Sequence, residues 1–91
     1  MYELIWSPHF DRRMARFRRT HPELRQRVAR LLQQLEQDPH QPHLRLHALQ
    51  GELKGMHAVS LTHSYRIVLT LKITEREIIL LDIGTHDEVY R

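Results

Sequence analysis

The chain has 91 residues, a formal net charge of +3 and no cysteine. This length supports one domain with one modest core, and we expect residues 1–91 to form it. Without cysteine the chain has neither a disulfide framework nor a thiolate metal site. No apolar run approaches the ~20 residues that span a bilayer, and the first residues begin a strand pattern instead of a signal peptide. We therefore expect a cytoplasmic protein with no membrane partner.

The basic residues are mostly arginine, which accounts for twelve of the fourteen, and there are eight histidines. Guanidinium groups bind phosphate in a bidentate manner, so this composition favours a polyanionic partner such as RNA or DNA. A solvated arginine-rich surface without such a partner explains the composition equally well.

The first half of the chain predicts a strand and two helices. Residues 2–6 alternate as a strand, and Ser7-Pro8 is typical of a helix start. Thr20 and Glu23 have the spacing of a capping box for a second helix, which should end near Gln37 before a proline. The apolar stripe of the first helix comprises Phe10, Met14 and Phe17.

The second half predicts three strands, at about 56–62, 65–71 and 77–83. The third run is apolar almost throughout, which is typical of a central strand covered on both faces, and we expect Gly84 to end it. His57 is in phase with apolar neighbours and is predicted to be half-buried and hydrogen-bonded. Residues 85–90 predict a short turn or helix.

The predicted order is β-α-α-β-β-β. Helices early and strands late favour an α+β fold, in which an N-terminal helical hairpin packs on an antiparallel sheet. Parallel pairing of the first strand with a later one is compatible with this order, because the two helices provide a crossover.

The chain contains no glycine-rich phosphate loop, no His-Glu-x-x-His and no Gly-x-Ser-x-Gly motif, which argues against nucleotide-dependent, metalloprotease and α/β-hydrolase chemistry. Histidine, arginine, lysine and tyrosine at strand ends instead suit metal-free cleavage of RNA, without a cofactor. In that reaction the 2′-hydroxyl is an internal nucleophile, and the protein supplies a base, an acid and cations for the phosphate.

Two residues are the first candidates for this chemistry. His86 follows a buried strand and a glycine, where a side chain is both fixed and exposed, and histidine titrates near neutral pH. Its alternative is a surface histidine beside an N-cap at Thr85. Arg66 heads an apolar strand and is suited to hold phosphate, or else it forms a salt bridge with Asp82 or Glu77.

The remaining candidates are weaker when each is taken alone. Tyr90 would stack on a base or pack the chain end onto the sheet. Charge or proton transfer would come from His47, Lys54 and His63, for each of which a solvated surface role is the alternative. A metal site formed by His40, His43 and His47 lacks a carboxylate partner, so we predict no metal.

Three segments resemble motifs of a known family. Residues 47–55, His-Ala-Leu-Gln-Gly-Glu-Leu-Lys-Gly, look like a His-x-Leu-x-Gly-x-x-x-Gly segment. Residues 65–69 form an aromatic-Arg-hydrophobic strand, and residues 84–90 form a Gly-Thr-His ending with an aromatic residue four positions after the histidine. Together they resemble the RelE/ParE superfamily of bacterial toxin–antitoxin toxins, in particular its YafQ-like ribonuclease branch.

This resemblance implies a cytosolic RelE-like toxin that enters the ribosomal A site, cuts mRNA there and is silenced by a cognate antitoxin. By position it implies that His86 is the catalytic histidine and Tyr90 its aromatic neighbour. It likewise implies that His47 is the histidine before the first glycine, and that Arg66 contacts phosphate. A homodimer and a toxin–antitoxin hetero-oligomer are both compatible with it.

The chain also departs from the family pattern. Ser64-Tyr65 stands where the YafQ-like branch has an acidic residue followed by tryptophan. The histidine that this branch places earlier in the strand has no clear counterpart, since Ser60 and His57 fall nearby and His63 lies further on. The second acid–base group is therefore open between His63 and His47.

Two other functional classes stay open at this point. One is a ParE-like inhibitor of DNA gyrase without nuclease activity, against which His86 argues because that branch typically lacks this histidine. The other is an inactive remnant that still binds an antitoxin. The basic helix from Phe10 to Arg19 is predicted to contact RNA or an acidic antitoxin segment. Its proposed RNA-binding residues, together with Lys54, are Arg12, Arg13, Arg16 and Arg19.

Overall fold

The structure, a computed structural model, describes residues 1–90. Its strands and helices are β1 (Glu3–Trp6), α1 (Pro8–Thr20), α2 (Arg25–Gln37), β2 (His47–Ala48), β3 (His57–Ser60), β4 (Tyr65–Lys72), β5 (Glu77–Thr85) and α3 (His86–Val89). Within this part of the chain no helix is long and apolar enough to cross a membrane.

The five strands form one sheet in the order β1-β5-β4-β3-β2. β1 runs parallel to β5, and the other neighbours pair antiparallel. The α+β class and the parallel pairing of the first strand are therefore confirmed. The expected antiparallel sheet is confirmed for β2 to β5 only, because the crossover through α1 and α2 lets β1 pair with β5 in parallel. The sequence pattern also missed β2, which is only two residues long.

The sheet is covered on both faces by apolar side chains. On one face, residues of α1 and α2 such as Phe10 and Leu35 pack against Ile67 and Leu80 of β4 and β5. On the other face, a smaller cluster joins the loop after β2 to the sheet and α3. Its buried members are Leu49, Ala58, Val68 and Val89. This smaller cluster holds the C-terminal end of the chain against the sheet.

Two local predictions fail for identifiable reasons. The hydroxyl of Thr20 donates to the carbonyl of Arg16 at 3.0 Å, so it closes the last turn of α1 and does not cap α2. A 3₁₀ turn at Pro22–Leu24 precedes α2, whose start has no side-chain cap. The Nδ1 atom of His57 is buried but has no hydrogen-bond partner within residues 1–90, contrary to the expected bond.

The junction of β5 and α3 contains the capping box that Thr20 does not form. Glu88 N donates to Thr85 Oγ1 at 3.3 Å, and Thr85 N donates to Glu88 Oε1 at 2.8 Å. These two bonds satisfy backbone donors at the helix start and set the direction in which α3 leaves the sheet. β5 continues through Gly84 to Thr85, so Gly84 does not end the strand as predicted.

Arg13 of α1 joins this junction from the side. Its Nε donates to Asp82 Oδ1 at 3.0 Å and its Nη2 donates to the carbonyl of Ile83 at 3.1 Å. The same Nη2 lies 3.8 Å from Glu88 Oε2. Since β1 pairs with β5 only as far as Leu80, this guanidinium takes the place of a strand partner at the edge of β5.

Gly84 is needed for this close approach. A Cβ atom there would lie 2.8 Å from both Arg13 Nη2 and Glu88 Oε1. Any side chain at position 84 would therefore displace the ends of both side chains and loosen the start of α3.

We expect Glu88 to stabilise the fold only while it is ionised. The hydrogen bond from the Thr85 backbone, with a smaller contribution from Arg13, lowers the pKa of Glu88 from its ordinary value of 4.5. The stabilisation that the ionised Glu88 provides is therefore fully present above pH 4.5. It is lost as the pH falls through the lower pKa of Glu88 in the folded state. Urea unfolding of the wild type and of E88Q should show a difference in unfolding free energy that closes in acid. A difference that is independent of pH would contradict this.

Candidate active site

Four of the predicted site residues line one groove of about 540 Å³, beside the smaller apolar cluster. β4 contributes Arg66, and pairing of β2 with β3 brings His47 to the same end of the sheet. His86 is the first residue of α3, and Tyr90 follows its last turn. Three separate stretches of sequence therefore meet at this groove.

The ring of Tyr90 contacts two of its neighbours. It lies edge-to-face against His86, with ring centroids 4.4 Å apart and an interplanar angle of 88°. On the other side, the Cζ atom of Arg66 lies 5.5 Å from the centroid of the same ring. Contacts of these two kinds each contribute on the order of 0.5–1.5 kcal/mol. Tyr90 thus restrains both the imidazole and the guanidinium.

Two polar atoms of the site are buried without a hydrogen-bond partner. They are Nε of Arg66 and the hydroxyl oxygen of Tyr90, counted over residues 1–90. The expected alternative for Arg66, an ion pair with Asp82 or Glu77, does not form: Asp82 pairs with Arg13, and Glu77 lies opposite Lys72 at the other end of the β4–β5 ladder. Unsatisfied buried donors are uncommon in proteins and point to a function at that position. Here the unpaired donor belongs to a cation, which suits an anionic group such as phosphate.

His47 has a defined tautomer in its neutral form. Its Nδ1 lies 2.9 Å from the carbonyl oxygen of Arg45. A carbonyl oxygen only accepts, so Nδ1 carries the hydrogen and the lone pair of the neutral ring is on Nε2. Arg45 itself has a left-handed backbone, with φ 56 and ψ 42, which is uncommon for a residue other than glycine. Such conformations cluster at functional sites.

His86 is more exposed than the other members of the group. Its side chain is 64% exposed, and its Nδ1 lies 3.5 Å from Oδ1 of Asp87. When the ring is protonated, this carboxylate pairs with it, and the opposite nitrogen remains free to meet a ligand. The expected N-cap at Thr85 is also present, so the cap and the candidate histidine occupy adjacent positions.

The structure separates the other candidates from this groove. His63 is exposed in the turn between β3 and β4, and it lines an adjoining groove together with Arg66 and His47. Ser60 lies directly opposite Arg66 on β3. Lys54 is exposed and lines neither groove. His40, His43 and His47 do not come together as metal ligands, since within residues 1–90 no three His, Cys, Asp or Glu side chains form such a group.

The arginines of α1 divide into two groups. Arg12, Arg16 and Arg19 are exposed, whereas the guanidinium of Arg13 is occupied by the end of β5. Two arginines that were not predicted as site residues, Arg27 and Arg45, line the adjoining groove beside the site together with His43. Arg27 has the pattern of an ordinary solvated helix face, so no signal in the sequence distinguishes it.

Comparison with known proteins finds similar structures. No protein-family profile and no curated protein sequence matches the chain. The structure of YafQ from E. coli BL21(DE3) matches with a TM-score of 0.83 at 15% identity, covering 100% of both chains. YafQ in the E. coli DinJ-YafQ complex matches with a TM-score of 0.80 at 16% identity, again over 100% of both chains.

Two further structures come from other organisms. A metal-bound toxin from Helicobacter pylori matches with a TM-score of 0.81 at 23% identity, over 98% of this chain and 99% of that one. The YoeB/ParE toxin from Agrobacterium tumefaciens matches with a TM-score of 0.77 at 15% identity, over 92% and 98%. The resemblance seen in the three sequence motifs is therefore confirmed at the level of the fold: the chain has the fold of the RelE/ParE toxins and is close in structure to YafQ.

Proposed function

We propose that this protein is the toxin of a toxin–antitoxin pair and that it is an endoribonuclease. The observation that carries the proposal is Arg66, whose buried Nε has no hydrogen-bond partner within residues 1–90. Its side chain lines the same groove as two histidines and an aromatic ring. A cation for a phosphate and two proton-transfer groups are what cleavage of RNA by its own 2′-hydroxyl requires.

The proposed reaction balances with protein groups alone. The 2′-hydroxyl gives its proton to a base, and its oxygen bonds to phosphorus. The bond between phosphorus and the 5′-oxygen breaks, and that oxygen takes a proton from an acid. The products are a 2′,3′-cyclic phosphate and a 5′-hydroxyl. The scheme includes no metal or other cofactor.

The hydrogen bonds of the two histidines support a division of roles. We assign His47 as the base, because its Nδ1 is engaged by the Arg45 carbonyl and its free Nε2 carries the lone pair. We assign His86 as the acid, because Asp87 stands beside it to pair with the protonated ring. Arg66 holds the phosphate through the transition state, and Tyr90 keeps Arg66 and His86 in place. Of the two residues that the sequence left open, this choice favours His47 over His63.

The partners follow from the same resemblance. YafQ is found in a complex with DinJ, and we propose that a cognate antitoxin binds this protein in a similar way and silences it. We further propose that the substrate is mRNA on the ribosome, which places the reaction in the cytoplasm. A segment that covers the groove of His86 would be enough to block the chemistry.

Replacement of either histidine should abolish cleavage and leave the fold intact. We expect H86A and H47A each to lower the cleavage rate of ribosome-bound mRNA by about 10²–10⁴-fold, the usual contribution of one acid–base group. The matched control is H40A, since His40 is an exposed histidine that lines none of the grooves around the site. Circular dichroism would establish that all three variants are folded.

A folded H86A variant that retains full cleavage would overturn the assignment of His86, and a wild type that does not cleave would overturn the nuclease proposal. Loss of cleavage in H63A with wild-type activity in H47A would instead reverse the assignment of the base. Inhibition of purified DNA gyrase by both the wild type and H86A, without RNA cleavage, would favour a ParE-like function.

The ring of Tyr90, more than its hydroxyl, should matter for activity. Y90F keeps the contacts with His86 and Arg66, so we expect cleavage to stay within a few-fold of wild type. Y90A removes both contacts, and we expect a loss of about tenfold or more, since each contact contributes about 1 kcal/mol. Cleavage rates of the two folded variants provide the measurement. Equal losses in Y90F and Y90A would contradict the role of the ring and give it to the hydroxyl.

A further inference from the structure

A second groove, of about 810 Å³, adjoins the candidate active site. The polar side chains along it are mainly basic, and none of its lining residues is Asp or Glu. Its arginines and histidines are Arg27, Arg45, Arg66, His43, His47 and His63. Such a lining creates a positive potential that attracts anions.

This groove is continuous with its neighbours. It shares His47 and Arg66 with the groove that contains His86. At its other end it shares Arg27 and His43 with a third groove, of about 470 Å³, to which α2 adds Arg30. We call the second and third grooves together the basic trough. It leads from Arg66 along the loop before β2 to the exposed side of α2.

The arginines of the basic trough have no carboxylate partners. Among the ion pairs of residues 1–90, none includes Arg27, Arg30, Arg45 or Arg66. Arg13, by contrast, lies within 4 Å of two carboxylates, at 3.0 and 3.8 Å. The trough has one acidic lining residue among residues 1–90, Glu23, and it forms no ion pair with these arginines. Cations that outnumber the acidic groups along one groove repel one another, and a bound polyanion relieves that repulsion.

We propose that the basic trough binds the phosphodiester backbone of single-stranded RNA on one side of the cleavage site. This proposal deepens the proposed function, since it rests on Arg66 holding the phosphate that is cut. Arg27 and Arg45 each contact one flanking phosphate, and Arg30 reaches a further one. The trough therefore positions the RNA strand, while the residues in the groove of His86 cleave it.

The lining of the trough favours RNA over an acidic protein segment. A peptide helix that docks in a groove needs apolar anchor sites about one turn apart. The apolar lining residues of the trough are Leu31, Leu44, Leu46 and Leu61, and all of them except Leu46 are almost fully buried. A backbone of regularly spaced charges needs no such anchors, and the trough opens directly into the groove where a phosphate would react.

The test compares two variants of equal charge in the full chain. R27Q/R45Q removes two cations from the trough, and K72Q/R76Q removes two exposed cations at the turn between β4 and β5, which lines no part of it. The probe is a labelled single-stranded RNA of about 12 nucleotides with 2′-O-methyl groups throughout, a length within the range of single-strand binding sites. This RNA cannot be cleaved, so fluorescence anisotropy reports binding alone.

We expect R27Q/R45Q to weaken binding by about tenfold at low salt and to reduce the slope of log K against log salt concentration by about 1.4. The slope follows from about 0.7 per phosphate contact on a single strand. K72Q/R76Q should leave the slope unchanged. Circular dichroism of both variants provides the folding control.

Three results would overturn the proposal. The first is equal weakening by the two double variants, which would indicate only a general effect of charge. The second is unchanged binding in R27Q/R45Q, or no binding by the wild type at any salt concentration. The third is that a polyglutamate peptide of the same charge binds as tightly as the RNA and with the same dependence on Arg27 and Arg45.

These outcomes are separate from those that test the proposed function. If the wild type does not cut mRNA, the nuclease assignment fails, but the trough can still bind uncleavable RNA. If the two double variants weaken binding equally, the trough proposal fails, while cleavage that depends on His47 and His86 is unaffected.

Discussion

The contact between Arg13 and the end of β5 is the constraint on which the candidate site depends. The guanidinium of Arg13 binds Asp82 and the carbonyl of Ile83, at an edge of β5 that β1 does not reach. It fits there because Gly84 has no side chain. The two hydrogen bonds between Thr85 and Glu88 then fix the direction in which α3 leaves the sheet. The position of the first residue of α3, and of the aromatic ring after its last turn, follows from this arrangement.

The second feature of the site is a cation without an ion-pair partner among residues 1–90. Over the same residues the buried Nε atom of Arg66 has no hydrogen-bond partner, although Asp82 lies on the neighbouring strand. Leaving a buried donor unsatisfied costs about 1–3 kcal/mol, so stability alone does not explain the arrangement. Asp82 pairs with Arg13 instead, and that contact fixes the end of β5.

Burial patterns explain which parts of the fold could be predicted from sequence. The apolar run of β5 and the stripe of α1 reflect burial, and both were predicted. Thr20-x-x-Glu23 and Thr85-x-x-Glu88 have the same spacing, but only the second forms a capping box, because the Thr20 hydroxyl bonds back into α1. The Thr-x-x-Glu spacing alone does not show whether such a competing bond forms. The basic trough could not be predicted, since its cations lie far apart in the chain and only tertiary packing brings them together. The choice between His47 and His63 likewise depends on the carbonyl of Arg45, whose direction no sequence pattern predicts.

The claim that most needs testing is attack by the 2′-hydroxyl in the groove that contains His47 and His86. The most direct measurement is the chemistry of the new RNA ends after incubation of the protein with ribosome-bound mRNA. The account predicts a 2′,3′-cyclic phosphate on one fragment and a 5′-hydroxyl on the other, with no cleavage where the nucleotide before the cut is 2′-deoxy. A 3′-hydroxyl with a 5′-phosphate, or cleavage at the deoxy position, would contradict it.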